Sequence, residues 1–311
     1  MKKLLIVIIV LAVILFLLPL ITGDLEQKQV TDQVRGELGL SFLKLSDGSV
    51  HYEISGPEDG EVVVLVHGNA APLFSWDNNI TALTAAGFRV IRYDLYGFGF
   101  SDRPDIEYTR ELYDRQLNEL LSTLDIKEPV LLVGTSQGGS IAVEFTANHP
   151  EKVKKLVLLS PFINELPMKL IIGLVRVPGI GDYLASVAFD RINLNYPNQV
   201  FADTEAIPPQ YTERYHEQLS YEGFKRARLS NLRSDSLTDF TARYEAVAAT
   251  GIPVLLTWGT ADIVIMEDSI RNIKKAIPAI QYHEIEGGGH LVHYEEPESV
   301  NPVLVEFLLE E

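Results

Sequence analysis

From residue 62 onward, short unbroken apolar runs alternate with longer stretches of helical periodicity. The runs are Val62–Val66, Arg89–Tyr93, 130–133, Val153–Leu159 and 254–258. Runs this short, apolar at nearly every position rather than every second one, predict parallel strands covered on both faces by crossover helices. Ahead of them, residues 40–45 and 50–54 alternate apolar and polar side chains around Ser46-Asp47-Gly48-Ser49. That alternation predicts an antiparallel hairpin. A further strand over 280–285 and a last helix over Pro297–Leu309 complete the pattern.

The strand-helix rhythm lapses between residues 161 and 249, where helical patterns are broken at Pro178-Gly179-Ile180-Gly181 and Tyr196-Pro197-Asn198. Because this stretch follows a strand edge, it predicts a helical cap inserted over a pocket. The core is then 39–160 together with 250–311. Right-handed crossovers bring the carboxyl ends of parallel strands to one edge of a sheet, so the motifs after the runs converge in space.

The first residues form a different pattern. After Lys2 and Lys3, Leu4 to Thr22 is a run of 19 residues without a charge, long enough to cross a bilayer as a helix. A cleaved signal peptide would have a shorter apolar region and a small-x-small cleavage site, which Ile21-Thr22-Gly23 fits poorly. Residues 1–23 are therefore expected to be a single-pass membrane anchor, and the polar residues 24–38 a juxtamembrane connector. Lys2 and Lys3 precede the run and Asp24 and Glu26 follow it, so the rest of the chain is expected outside the cytoplasm.

Composition narrows the function. The chain has 311 residues, 46% of them apolar, and no cysteine, which removes disulfides and thiolate chemistry together. The net charge is −17, and the acids are spread along the chain, which argues against a nucleic-acid partner. No metal-ligand spacing is present, and neither a metal nor an organic cofactor is expected.

Gly134-Thr135-Ser136-Gln137-Gly138-Gly139 follows the apolar run at 130–133 and precedes a helical stretch. A strand that turns abruptly into a helix, with glycines at the turn, lifts a serine hydroxyl clear of the backbone. A hydroxyl is a poor nucleophile, so acyl transfer also needs a base and a group that orients the base. His290, after Glu286-Gly287-Gly288-Gly289, is the candidate base, with His293 as its rival. Asp262, after Trp258-Gly259-Thr260-Ala261, is the candidate acid, with Glu267 and Asp268 nearby. The oxyanion formed on the attacked carbonyl needs fixed donors. The backbone N–H groups of Asn69, in His67-Gly68-Asn69-Ala70-Ala71, and of Gln137 are the candidates.

With these motifs, residues 40 to 311 resemble the α/β-hydrolase superfamily. The resemblance includes Tyr93-Asp94-Leu95-Tyr96-Gly97-Phe98-Gly99-Phe100-Ser101, where Phe98 replaces a commoner arginine or histidine, and the punctuation at His149-Pro150 and Glu296-Pro297. Within the superfamily the chain is most similar to monoacylglycerol-lipase-like and carboxylesterase members. The resemblance implies the Ser136, Asp262, His290 order of roles in a mostly parallel twisted sheet with a helical cap. Members that cleave carbon-halogen bonds or epoxides use an aspartate where this chain has Ser136.

Three functions follow as expectations. The first is a serine hydrolase of carboxylic esters, lipid-like ones in view of the anchor and the apolar cap. The second is a hydrolase of carbon-carbon bonds, or of another small metabolite, with the same serine. The third is a ligand-binding member without catalysis.

Overall fold

The structure is a computed structural model that describes residues 23–164 and 169–310. Its centre is an eight-stranded sheet: β1 (Ser41–Leu45), β2 (Gly48–Ser55), β3 (Val62–Val66), β4 (Arg89–Tyr93), β5 (Val130–Thr135), β6 (Val153–Leu159), β7 (Val254–Gly259) and β8 (Gln281–Ile285). The spatial order is β1-β2-β4-β3-β5-β6-β7-β8. β1 and β2 pair antiparallel, β2 lies antiparallel to β4, and every pair from β4 to β8 is parallel.

The inner parallel strands β3, β5 and β7 are apolar at almost every position because both faces are covered, whereas the edge strand β8 is largely exposed. Val63, Val64, Leu65 and Val66 are all fully buried, but alternate residues enter different clusters. Val64 and Val66 pack on one side of the sheet with Leu132 and Leu156. Val63 and Leu65 pack on the other with Trp76, Leu131 and Phe307. The helices that supply these layers include α2 (Asp77–Ala85), α3 (Arg110–Thr123) and α4 (Gln137–Asn148).

Between β6 and β7 the described residues carry helices and no strand: α5 (Lys169–Arg176), α6 (Ile180–Leu194), α7 (Pro197–Val200), α8 (Pro209–Leu219), α9 (Phe224–Arg233) and α10 (Thr241–Thr250). After β7 come α11 (Glu267–Ala276), then β8, the short α12 (Val292–Glu295), and α13 (Pro297–Leu309).

The expected anchor over 1–23 falls, apart from Gly23, outside the described residues. Among those described, no single helix is long and apolar enough to cross a membrane. The segment expected to be a connector is tied down. Residues Asp32–Leu38 form the first described helix, α1, capped by the Thr31 hydroxyl, which accepts from Val34 N at 3.2 Å. Before it, the Glu26 carboxylate accepts from the backbone N–H groups of Gly223 (2.7 Å) and Lys225 (2.6 Å), at the start of α9. Unpaired N–H groups and the positive end of the helix dipole attract a carboxylate there.

Candidate active site

β5 runs directly into α4, and Ser136 is the single residue between them, with φ 51° and ψ −122°. A non-glycine residue at positive φ stores about 1 to 3 kcal/mol of strain, which the surroundings must hold. They do so by bonding its backbone on both sides. Ser136 N donates to Leu159 O at 3.0 Å, and Phe162 N donates to Ser136 O at 3.1 Å. The strain therefore falls on the serine, while the glycines around it supply room. A methyl group on Gly138 would overlap the carbonyl oxygens of Val66 and His67, and one on Gly134 would overlap Gly138.

The three residues expected to act together meet at the carboxyl edge of the sheet. Ser136 Oγ lies 2.9 Å from His290 Nε2, and His290 Nδ1 lies 2.9 Å from Asp262 Oδ2. A hydroxyl that donates to Nε2 requires the neutral ring to carry its proton on Nδ1, which then donates to the carboxylate. The other carboxylate oxygen of Asp262 accepts from Val264 N (2.8 Å) and Ile265 N (2.9 Å). Burial by itself raises the Asp262 pKa, but His290 and these two N–H groups outweigh it and hold the carboxyl below its ordinary range.

The rivals stand elsewhere. His293 is fully buried with its ring 4.2 Å from that of Trp76, and burial pushes its pKa down to about 3. Glu267 and Asp268 pair with Arg271 on the exposed side of α11.

On the other side of Ser136, the loop after β3 meets the start of α4. Gly68 abuts the nucleophile so closely that a methyl group there would stand 3.0 Å from Ser136 Cβ. The backbone N–H groups of Asn69 and Gln137 donate to no other group among the described residues. His67 fixes this loop from beneath. Leu95 N donates to its Nε2 at 2.9 Å, so its Nδ1–H donates to Gly68 O at 2.7 Å. Burial lowers the His67 pKa and keeps the ring neutral.

A polar network that the sequence reading missed ties both oxyanion candidates to the helical insertion. Asn69 Nδ2 donates to Gln137 Oε1 (2.7 Å), and Gln137 Nε2 donates to Asn231 Oδ1 (2.9 Å). Asn231 Oδ1 also accepts from Tyr113 (3.1 Å) and Ser236 (2.9 Å). From α8 and the segment before α7, Gln218 Nε2 donates to Ala70 O and the Tyr196 hydroxyl donates to Asn69 O, each at 2.9 Å. The available signal was a set of polar side chains inside otherwise packed helices.

Arg228, three residues before Asn231, places its guanidinium 5.8 Å from the Tyr196 ring centre. Its Nη1 is buried without a hydrogen-bond partner among the described residues. No group of three or more His, Asp or Glu residues among those described is arranged to hold a metal ion.

A hydroxyl, an imidazole and a carboxylate in line, with free N–H groups beside the hydroxyl, are the parts needed for acyl transfer through a covalent intermediate. The sequence profile of the family described as alpha/beta hydrolase fold matches residues 61–297, a span that includes all of these groups. The chain belongs to that family.

Among its relatives is the 2-hydroxy-6-oxononadienedioate/2-hydroxy-6-oxononatrienedioate hydrolase of Paraburkholderia xenovorans, 32% identical over 86% of this chain and 93% of the relative. The cis-3-alkyl-4-alkyloxetan-2-one decarboxylase of Shewanella oneidensis is 26% identical over 86% of this chain and 88% of its own length. The solved enol-lactonase of Burkholderia xenovorans superposes with a TM-score of 0.72 at 23% identity, covering 87% of this chain and all of that one. That last likeness concerns the fold alone. The chain is an enzyme of the alpha/beta hydrolase family, similar to hydrolases of small molecules.

Proposed function

We propose that this chain is a serine hydrolase in which Ser136 forms an acyl-enzyme with a carboxylic ester. The observation that carries the reading is the continuous line from Ser136 Oγ through His290 to Asp262, both links 2.9 Å. In the first step the Ser136 oxygen bonds to the ester carbonyl carbon and its proton passes to His290 Nε2. The oxyanion is held by the N–H groups of Asn69 and Gln137. When the C–O bond breaks, the leaving alkoxide takes that proton. Water, deprotonated by His290, then attacks the acyl carbon, and release of the acid restores Ser136.

A second reading is favoured by the relatives and by Arg228. The hydrolase of Paraburkholderia xenovorans is named for a dioate, a substrate with two carboxylates, and Arg228 presents a buried guanidinium nitrogen without a partner. The same serine cleaves a carbon-carbon bond when the departing carbon can hold the electron pair as an enolate and take its proton from His290. We also propose that residues 1–23 anchor the chain in a membrane, with the catalytic body on the extracytoplasmic side and the helical insertion as a cap over the site.

One experiment separates these readings. Full-length protein is treated with a fluorophosphonate, with Ser136→Ala as control, and turnover is measured on a panel of p-nitrophenyl esters and on a 2-hydroxy-6-oxo-dienoate. Labelling lost in the variant, with ester turnover, supports the first reading. Labelling with turnover of the diketone-like acid alone supports the second. A folded protein that neither labels nor turns over either class would overturn both.

A further inference from the structure

A helix on the outside of a soluble domain presents its polar face to water and its apolar stripe to the core. α5 turns apolar side chains outward as well as inward. Leu170 is 79% exposed and Ile171 52% exposed, Leu174 is exposed on the same helical face, and Val177 is exposed just past the helix end. The inward residue Val175 is buried against Ala185, Phe189 and Leu229. The apolar surface continues at Ile180, where α6 begins, and at Ile192 and Leu194, where it ends. There an open groove of about 710 Å³ is lined by Val187, Ala188, Ile192 and Leu194, with Arg191, Asn195 and Gln199 at its polar side. Taken together, α5 and α6 have the length and apolar character of a membrane segment, but they meet at a bend of 115°. Two helices at that angle cannot cross a bilayer as one rod. They can lie along its surface.

The second observation is where the described chain starts. Leu25 N donates to Asp190 Oδ2 at 3.2 Å, and Lys225 Nζ bridges Asp24 (2.6 Å) and Asp190 (3.2 Å). Asp190 lies two residues before Ile192 on α6. The uncharged run that ends at Thr22 is thus separated by Gly23 alone from a residue fastened to the edge of this apolar face. One intervening residue gives a reach of roughly 7 Å.

Charge does not oppose contact with a lipid surface, although the whole chain is acidic. α5 contains no acid. Asp182 of α6 pairs with Arg233 at 3.0 Å, Lys225 is shared between Asp190 and Asp24, and Arg176 and Arg191, at exposed positions on the two helices, offset the one negative charge left over.

From these observations we infer that the outer face of α5 and α6 lies in the interfacial layer of the same lipid bilayer that holds the N-terminal run. The inference rests on the anchor reading proposed above. An interfacial helix of this kind buries its apolar face among headgroups and the first methylenes. It would set the insertion, which covers Ser136, against lipid. Ile263, Val264 and Met266, exposed in the loop after Asp262, stand beside the foot of the insertion, where Asn164 Nδ2 donates to Ser269 Oγ at 3.3 Å. An apolar substrate would then reach the site from the membrane.

The chain has no cysteine, so single cysteines can be placed at will. Full-length protein carrying Leu174→Cys or Ile192→Cys is labelled with the polarity-sensitive dye NBD and reconstituted in phosphatidylcholine vesicles with and without brominated lipid. Lys275→Cys, exposed on α11, is the control. Docking predicts blue-shifted emission at Leu174 and Ile192, with most of it quenched by brominated lipid, and neither effect at Lys275. An aqueous signal at Leu174 in protein that resists carbonate extraction would overturn the docking and leave the anchor standing. Loss of the whole chain from the vesicles in carbonate would overturn the anchor, and the docking with it. A blue shift that brominated lipid does not quench would mean that protein covers the face, from this chain or a second copy, and would equally overturn it. As an independent arm, Ile171→Lys with Leu174→Lys should lower turnover of a vesicle-borne long-chain ester several-fold and leave a soluble short-chain ester unchanged.

Discussion

Asn69 Nδ2 donates to Gln137 Oε1 at 2.7 Å, so the two residues proposed to hold the oxyanion through their backbones are joined through their side chains. The link continues to Asn231 of α9. Asn231 is fully buried, and its side-chain oxygen accepts three hydrogen bonds, from Gln137, Tyr113 and Ser236. Replacing it with alanine leaves two buried donors, the Tyr113 hydroxyl and Gln137 Nε2, without an acceptor, while Ser236 keeps the Asn231 backbone carbonyl. Unmet donors of this kind cost about 1 to 3 kcal/mol. Asn231→Ala should therefore melt earlier. It should also lose about tenfold in kcat, the effect of one net hydrogen bond near 1.4 kcal/mol, with little change in KM. Calorimetry and steady-state kinetics check the two parts separately, and an unchanged kcat would mean that the network braces the fold alone.

Asp262→Asn preserves shape but not polarity. The amide can present its NH₂ group to His290 Nδ1, which favours the tautomer with its proton on Nε2, unable to accept from Ser136. The loss in kcat should be about a thousandfold or more. Because Asp262 Oδ1 also accepts from Val264 and Ile265, the amide oxygen can keep that loop in place, and the fold should survive. A circular dichroism spectrum like the parent's together with less than a tenfold loss of rate would assign the orienting role elsewhere.

The inner strands were legible because both faces are buried, which leaves an apolar run with little room for misreading. Ser136, Asp262 and His290 were legible for a related reason. Each follows a parallel strand (β5, β7 and β8), so topology alone brings them to one edge. The last helix begins at Pro297 as expected, since proline fits the first turn of a helix. Tyr196, Gln218, Arg228 and Asn231 were not legible. They come from the insertion, where no strand end fixes a residue's place, and Asn231 is 94 residues from its partner Gln137. The docking of Glu26 on the start of α9 was hidden similarly, since a polar segment carries no mark of the helix end that it caps.

Glu295 ties α12 to the insertion by accepting from Ala202 N at 2.6 Å, while His290 N and Leu291 N donate to Val200 O at 3.0 and 3.3 Å. Burial pushes the Glu295 pKa up to about 7 from an ordinary value of 4.5. Between those two values the folded protein binds the proton and the unfolded chain has released it. Stability then falls as pH rises from about 4.5 to about 7 and changes no further through this group above that. Glu295→Gln keeps an acceptor for Ala202 but removes the titration. Its melting temperature relative to the parent should rise across that window, by the equivalent of about 3 kcal/mol at most. Parallel melting curves for parent and variant from pH 4.5 to 8 would refute this.

Arg228 separates the two proposed chemistries. The chain carries 43 acidic side chains, yet Arg228 pairs with no carboxylate among the described residues, and its Nη1 is buried beside Tyr196, which is itself bonded to Asn69. Arg228 is half-buried and this one nitrogen is shielded from water without a hydrogen bond, which a substrate carboxylate would supply when it binds. Charge-assisted hydrogen bonds to such a group contribute about 1.5 to 3 kcal/mol. Arg228→Gln should then raise KM for a carboxylate-bearing substrate about ten- to a hundredfold and leave KM for a neutral ester of similar size within about twofold. Equal losses on both substrates would assign Arg228 to packing against Tyr196. A selective loss on the anionic substrate would place its carboxylate beside the oxyanion loop, and with it the orientation of the bond that Ser136 attacks.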